Sequence, residues 1–118
     1  MALTPHMVTI DCADPVSLAK FWTEAAGLEI RANLGDGAFV VLGQSDGNGI
    51  RLGLQQVPEP RTGKNRVHVD WTASDRPAEV ARLTALGAIE VAEHTHPGLV
   101  WTVLTDPEGN EFCVAGRE

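Results

Sequence analysis

The chain repeats its own plan. Asp14 recurs as Asp75, Gly27 as Gly87, Glu29-Ile30 as Glu90-Val91, Val41-Leu42 as Val103-Leu104, and Gly47-Asn48 as Gly109-Asn110. The offset stays between 60 and 62 residues throughout, a drift that one-residue loop changes explain. A half of this size makes a poor hydrophobic core by itself, because short chains bury too little of their surface. The repeat therefore predicts one supersecondary unit used twice within a single domain spanning residues 1–118, each copy leaning on its twin.

The pattern inside each copy is strand, helix, then three strands. Residues 6–12 form the first strand, with Val8, Ile10 and Cys12 on the apolar face and Met7, Thr9 and Asp11 on the other. Asp14-Pro15 supplies an N-cap and a proline at the first helical position, where its missing N–H costs nothing. Leu18, Phe21, Trp22 and Ala25 follow helical spacing toward the core, and Gly27 stops the helix. Strands are predicted over 28–33, 38–42 and 50–57, separated by turns at Gly35-Asp36-Gly37 and Asp46-Gly47-Asn48-Gly49.

Module one thus covers about 6–57, a proline-containing linker covers 58–65, and module two covers about 66–116. Arg66-Val67-His68-Val69-Asp70-Trp71-Thr72-Ala73 opens the second copy as a strand. Val67, Val69 and Trp71 alternate with His68, Asp70 and Thr72, so one face is polar. A helix follows from about Pro77 to Leu86, with Val80 and Leu83 inward and Gly87 beyond its end. Strands over 89–93, 99–104 and 111–115 complete the module, around turns at His96-Pro97-Gly98 and Asp106-Pro107-Glu108-Gly109-Asn110.

Composition narrows the partners. With 43% hydrophobic and 21% charged residues, the chain buries a real core rather than staying disordered. A formal charge of -7 argues against nucleic acid, since phosphate binding needs clustered Lys and Arg. It is compatible with a cationic partner, or with solubility alone. Cys12 and Cys113 form no disulfide framework, and no apolar run approaches membrane length, so a cytoplasmic protein without membrane contact is expected.

Few residues carry chemistry. His68 is a candidate metal ligand, general base or hydrogen-bonding group, and Asp70, two residues on, could hold one of its ring nitrogens or meet a cationic ligand. Cys113 is a nucleophile only if a nearby cation depresses its pKa; otherwise it is a buried, inert thiol. His94 and His96 share a strand face, where a metal pair and an exposed strand end are the two readings. Trp101, the counterpart of Phe39, either fills the core or walls a ligand site. No phosphate loop, nucleotide fingerprint or Ser-His-Asp order occurs.

Ala13-Asp14-Pro15…Phe21-Trp22…Gly27-Leu28, its echo Ser74-Asp75…Leu83…Gly87-Ala88, and Leu104-Thr105-Asp106-Pro107-Glu108-Gly109-Asn110-Glu111-Phe112 resemble the vicinal-oxygen-chelate superfamily. With Pro58-Glu59-Pro60 and Asn65-Arg66-Val67-His68-Val69-Asp70, they are most similar to its glyoxalase-like subgroup. This superfamily joins glyoxalase I, bleomycin-resistance proteins and extradiol dioxygenases. The resemblance implies an α+β fold of two tandem βαβββ modules, their curved mixed sheets forming a cup, and pairing of chains into a homodimer.

In metal-using members, each module gives one ligand from its first strand and one from its last. Carried onto this chain, His68 occupies a ligand position, whereas Met7 stands at its counterpart and a thioether is a poor ligand for hard or borderline divalent ions. Cys113 replaces the usual Glu, Glu111 shares its face two residues away, and Arg51, Gly53 or Gln55 is offered from the fourth strand. The cofactor expectation is accordingly none, with a divalent metal as the exception. The expected function is binding of a small cationic or aromatic molecule by Thr9, Asp11, Gln55, His68, Asp70, Trp101 and Cys113. The rivals are a metal-dependent lyase or isomerase of the glyoxalase type, with Glu111 completing the site, and a non-catalytic dimer module. Whether the chain is an enzyme stays open.

Overall fold

In module one, an alternating apolar strand is followed at once by a capped amphipathic helix, so helix and sheet share a core from the first residues. The structure is a computed structural model and describes residues 2–116; the outermost residues of the expected 1–118 domain, Met1, Arg117 and Glu118, lie outside the described range. β1 (Met7–Cys12), α1 (Pro15–Ala26), β2 (Glu29–Leu34), β3 (Phe39–Gly43) and β4 (Arg51–Gln56) form a four-stranded mixed sheet in the order β1-β4-β3-β2. β1 and β4 run parallel and the remaining pairs antiparallel. Asp14 caps α1 by accepting from the Ser17 N–H at 3.1 Å, and Gly27 ends it in the left-handed region at φ 65°. Leu18, Ala19, Phe21 and Trp22 bury against β3 and β4, whose Val40, Leu42, Leu52 and Leu54 form the opposing layer.

Module two repeats this with β5 (Val69–Thr72), α2 (Arg76–Ala85), β6 (Ile89–His96), β7 (Leu99–Thr105) and β8 (Glu111–Gly116), in the order β5-β8-β7-β6. β5 and β8 are parallel, as β1 and β4 are. Asp75 caps α2 through the Ala78 N–H at 3.1 Å. Val80 and Leu83 are the helix's buried side chains, above Val100, Thr102, Leu104, Phe112 and Val114.

Register establishes the repeat independently of residue identity. Thr9 pairs with Gly53 as Asp70 pairs with Cys113, and Asp11 pairs with Gln55 as Thr72 pairs with Ala115. The irregularity in the edge strand also recurs, between Ile30 and Ala32 in β2 and between Glu90 and Ala92 in β6. The chain divides between Pro60 and Arg61 into two compact units. Among the described residues, no helix is long and apolar enough to cross a membrane.

Two elements differ from the sequence expectation. β5 begins at Val69 rather than at residue 66, so His68 precedes the strand. Pairing with β8 starts at Val69↔Phe112, and Asn65 upstream is instead tied to Glu111 by reciprocal hydrogen bonds. β6 runs to His96 rather than ending at Glu93, because pairing with β7 extends to His96↔Leu99 and leaves only Pro97-Gly98 for the turn.

Candidate functional site

Alternation places Asp70 and Cys113 on the same face of the second sheet, turned away from α2. Arg76 on α2 reaches Thr102 at 2.7 Å, so the even-numbered residues of β7 face the helix and Trp101 and Val103 face away. Val103 pairs with Cys113 and Trp101 with Ala115, which carries the same face across the sheet. The sequence left Trp101 between two faces. Register places it with Cys113.

Three chemistry-bearing side chains meet there. His68 Nδ1 lies 3.1 Å from Asp70 Oδ1 and 3.7 Å from Cys113 Sγ. One donor atom from each lies within 4.8 Å of the other two. Cys113 is 4% exposed beneath the pair, whose side chains are 37% (His68) and 65% (Asp70) accessible. Burial pushes the Cys113 thiol up, and the Asp70 carboxylate, as a nearby charge and hydrogen-bond partner, pushes it further, to about 11 from an ordinary 9.0. At neutral pH Cys113 is therefore a thiol, and unassisted nucleophilic chemistry is closed to it.

Glu111 does not join this group. Its Oε1 accepts from Lys64 Nζ at 3.2 Å and from the Asn65 N–H at 3.1 Å, while its own N–H donates to Asn65 Oδ1 at 3.1 Å. Burial raises its pKa, but the bonds from Lys64 and Asn65, with the charges of Lys64 and Arg61, outweigh that and leave it below 4.5. Arg61 adds a bond from Nε to the Gly109 carbonyl at 2.9 Å. Glu111 thus anchors the segment leading into His68.

Module one offers different chemistry at the equivalent places. Met7, Thr9 and Asp11 pair with Arg51, Gly53 and Gln55, so all six share one face. A Cβ on Gly53 would meet Thr9 Oγ1 at 2.9 Å, Met7 Sδ at 3.0 Å and Phe39 Cζ at 3.0 Å. Asp11 and Gln55 are exposed register partners at the end of that face. The structure brings Thr9, Asp11 and Gln55 together in one unit, and His68, Asp70 and Cys113 in the other.

The centre that the superfamily resemblance implies, with donors from both modules, does not fit these residues. At the position matching His68, module one presents the thioether of Met7, and its fourth strand offers a guanidinium (Arg51), a glycine (Gly53) or an amide (Gln55) where metal-using members carry a carboxylate, a poor donor set for a borderline divalent ion.

Sequence reasoning missed the linker anchor and an aromatic stack. His94 and His96 lie on Trp101, each with ring centroids 5.3 Å away and interplanar angles of 29° and 8°. The two histidines are exposed and committed to the indole rather than to an ion. Cross-strand register, His94↔Trp101, is the signal that would have found the stack. No comparable signal exists for Asn65 and Glu111, which are 46 residues apart.

Two modules of strand, helix and three strands, with parallel outer pairs in matching register, define the architecture of the vicinal-oxygen-chelate superfamily. The chain belongs to the glyoxalase-like domain family, whose model matches residues 7–115. Solved structures agree in fold. A glyoxalase/bleomycin resistance protein/dioxygenase family enzyme from Burkholderia phytofirmans PsJN superposes with a TM-score of 0.76 at 20% identity, over 93% of this chain and 95% of that one. TnmS3, an antibiotic binding protein from Streptomyces sp. CB03234, gives 0.74 at 19% identity over 100% and 99%. A lactoylglutathione lyase from Agrobacterium tumefaciens gives 0.70 at 21% identity over 98% and 94%. No curated protein sequence matches at a significant level. At such identities the likeness establishes architecture, and chemistry has to be argued from the site.

Proposed function

We propose that the protein binds and sequesters a small organic molecule, cationic or aromatic, with Thr9, Asp11 and Gln55 as the ligand-binding residues of module one and His68, Asp70, Trp101 and Cys113 as those of module two. One observation carries this reading: module one holds Met7, Thr9 and Gly53 in register where a two-module metal centre would need donors. The exposed carboxylates Asp11 and Asp70 favour positive charge, and the half-buried Trp101 supplies an apolar wall. The antibiotic-binding neighbour shares the architecture and supports the same reading. Self-association as a homodimer belongs with it, supported by exposed Ile30 and Leu34 on β2 and Ile89 and Val91 on β6. A cytoplasmic location is supported by the buried thiols of Cys12 and Cys113.

The test is calorimetric titration of chelator-treated protein with a panel of planar aromatic amines and their neutral analogues. Saturable binding is expected, stronger for the cations. Trp101→Ala should weaken it by at least about 30-fold, the effect of losing an aromatic anchor. Asp70→Asn should reduce the preference for cations, and Asp11→Asn added to it should erase what remains. A panel that yields no saturable binding sinks the reading. The second reading is a metal-dependent lyase or isomerase, favoured by the convergence of His68, Asp70 and Cys113. Turnover that requires added metal would put it first.

A further inference from the structure

We propose that the Asn48-Gly49 pair, in the connection between β3 and β4, is a self-modification site at which Asn48 reacts with water to give aspartate and isoaspartate and releases ammonia. This goes beyond the ligand-binding reading and does not depend on it.

Of Asn33, Asn48, Asn65 and Asn110, Asn48 alone precedes a glycine. The nucleophile is the backbone nitrogen of the following residue, and a residue without Cβ lets that nitrogen reach the side-chain carbonyl. Hydrogen bonding separates the four further. Asn33 Oδ1 accepts from the Gly37 N–H at 2.8 Å, and Leu34 after it lies in β2. Asn65 Oδ1 accepts from the Glu111 N–H at 3.1 Å, which also engages the nitrogen that follows Asn110. Among the described residues, none hydrogen-bonds the Asn48 side chain or the Gly49 N–H. The Asn48 N–H is held by Asp46 Oδ1 at 2.9 Å. Residues 44–50 are all exposed, so water reaches the pair. The two Asp-Gly pairs of module one lack this freedom: Gly37 donates to Asn33, and the Gly47 N–H donates to the Gln44 carbonyl at 3.0 Å.

The fold itself demands glycine at position 49. Its φ of 80° is left-handed, and a Cβ would meet Gln44 Nε2 at 3.1 Å. Asn48 lies outside the left-handed region, so backbone geometry does not require an amide side chain there.

The chemistry needs only water and base. The Gly49 nitrogen gives its proton to hydroxide and bonds to Asn48 Cγ, and the side-chain nitrogen leaves with a proton from water as ammonia. The resulting succinimide is opened by water at either carbonyl. Opening at Cγ restores the ordinary main chain with aspartate, and opening at the main-chain carbonyl leaves isoaspartate. Both products add a negative charge to a chain already at -7. Isoaspartate also lengthens the main chain just ahead of Arg51, whose N–H donates to the His6 carbonyl at 3.2 Å where β4 begins to pair with β1.

The experiment incubates the folded full chain at mildly alkaline pH for days and maps its peptides by mass. The peptide holding Asn48 should gain the mass of one NH₂-to-OH exchange. Its isoaspartyl form should accept a methyl group from an isoaspartyl carboxyl methyltransferase. Asn48 should convert about as fast in the folded chain as in the urea-unfolded one, while Asn33, Asn65 and Asn110 should all be slower when folded. Asn48→Gln should lose the conversion, because the longer side chain closes a less favourable ring. The site is overturned if folding strongly protects Asn48, if another asparagine converts before it in the folded chain, or if aspartate forms without isoaspartate.

Discussion

Gly53 and Cys113 hold the same place in the two modules, each within the last strand and each paired with the first strand, to Thr9 and Asp70. Around Gly53, the ends of Met7, Thr9 and Phe39 converge so closely that a Cβ fits only if they move aside. Around Cys113, His68 and Asp70 converge instead, and Trp101, the counterpart of Phe39, stands with His94 and His96. Duplication preserved the hydrogen-bonded ladder and freed the side chains it carries. One module filled the shared position with packing, the other with donor atoms.

The sharpest way to break this comparison is to give module one the floor of module two. Gly53→Cys forces Thr9 Oγ1, Met7 Sδ and Phe39 Cζ apart from contacts of 2.9–3.0 Å. Overpacking typically costs about 1–3 kcal/mol, and side-chain ends that can yield place this substitution toward the lower end. Urea unfolding should show the midpoint falling with an unchanged slope. A variant as stable as the parent would mean that module one has slack at this position and that the modules differ less than their side chains indicate.

The turns before the last strand of each module offer a second, smaller contrast. Asp106 is 2% exposed, and its Oδ1 accepts from the Glu108 N–H at 2.9 Å and the Asn110 N–H at 3.0 Å. In the module-one turn, Asp46 accepts from the Asn48 N–H at 2.9 Å, but it is exposed and water can substitute. Removing the buried acceptor leaves backbone donors poorly solvated, so Asp106→Ala should cost about 1–2 kcal/mol, and Asp46→Ala less than about 0.5 kcal/mol. Equal costs in thermal unfolding would refute the assignment of the difference to burial.

The features that were readable in the sequence are those fixed by local chemistry. Asp14 and Asp75 announce their helices because a short acceptor before a helix satisfies a free N–H, and both do so here. Alternation in the sequence put His68 and Asp70 on one polar face, and the register of β5 with β8 adds Cys113 to them. What stayed hidden depends on distant partners. The start of β5 is decided by where β8 begins to pair, and the end of β6 by how far β7 follows it. Trp101 could be assigned a face only from its register with Ala115. Glu111 shares the strand face of Cys113, yet its carboxylate is drawn to Lys64 and Asn65, a choice made by a linker whose composition alone reads as a loose connection.

That linker supplies the smallest and most discriminating comparison. Arg51 stands where Glu111 stands in module two, the first residue of the last strand in each case. A guanidinium stays charged across the accessible pH range. The Glu111 carboxyl, by contrast, titrates below 4.5 in the folded protein, because Lys64 and Asn65 more than offset its burial. A depressed carboxyl pKa adds stability above the unfolded value and loses it as pH falls through the folded one. Because the Lys64 side chain is 71% exposed, solvent screens the pair and the contribution stays below about 1 kcal/mol. Glu111→Gln keeps an acceptor for the Asn65 N–H and removes only the charge. Its deficit relative to the parent should be full at pH 7 and shrink once pH drops below about 4.5, while any deficit of Arg51→Gln should show no such step at the same carboxylate. A Glu111→Gln deficit that persists unchanged at pH 3 would show that the amide disrupts the geometry around Asn65, and that His68 is positioned by the shape of this anchor rather than by its charge.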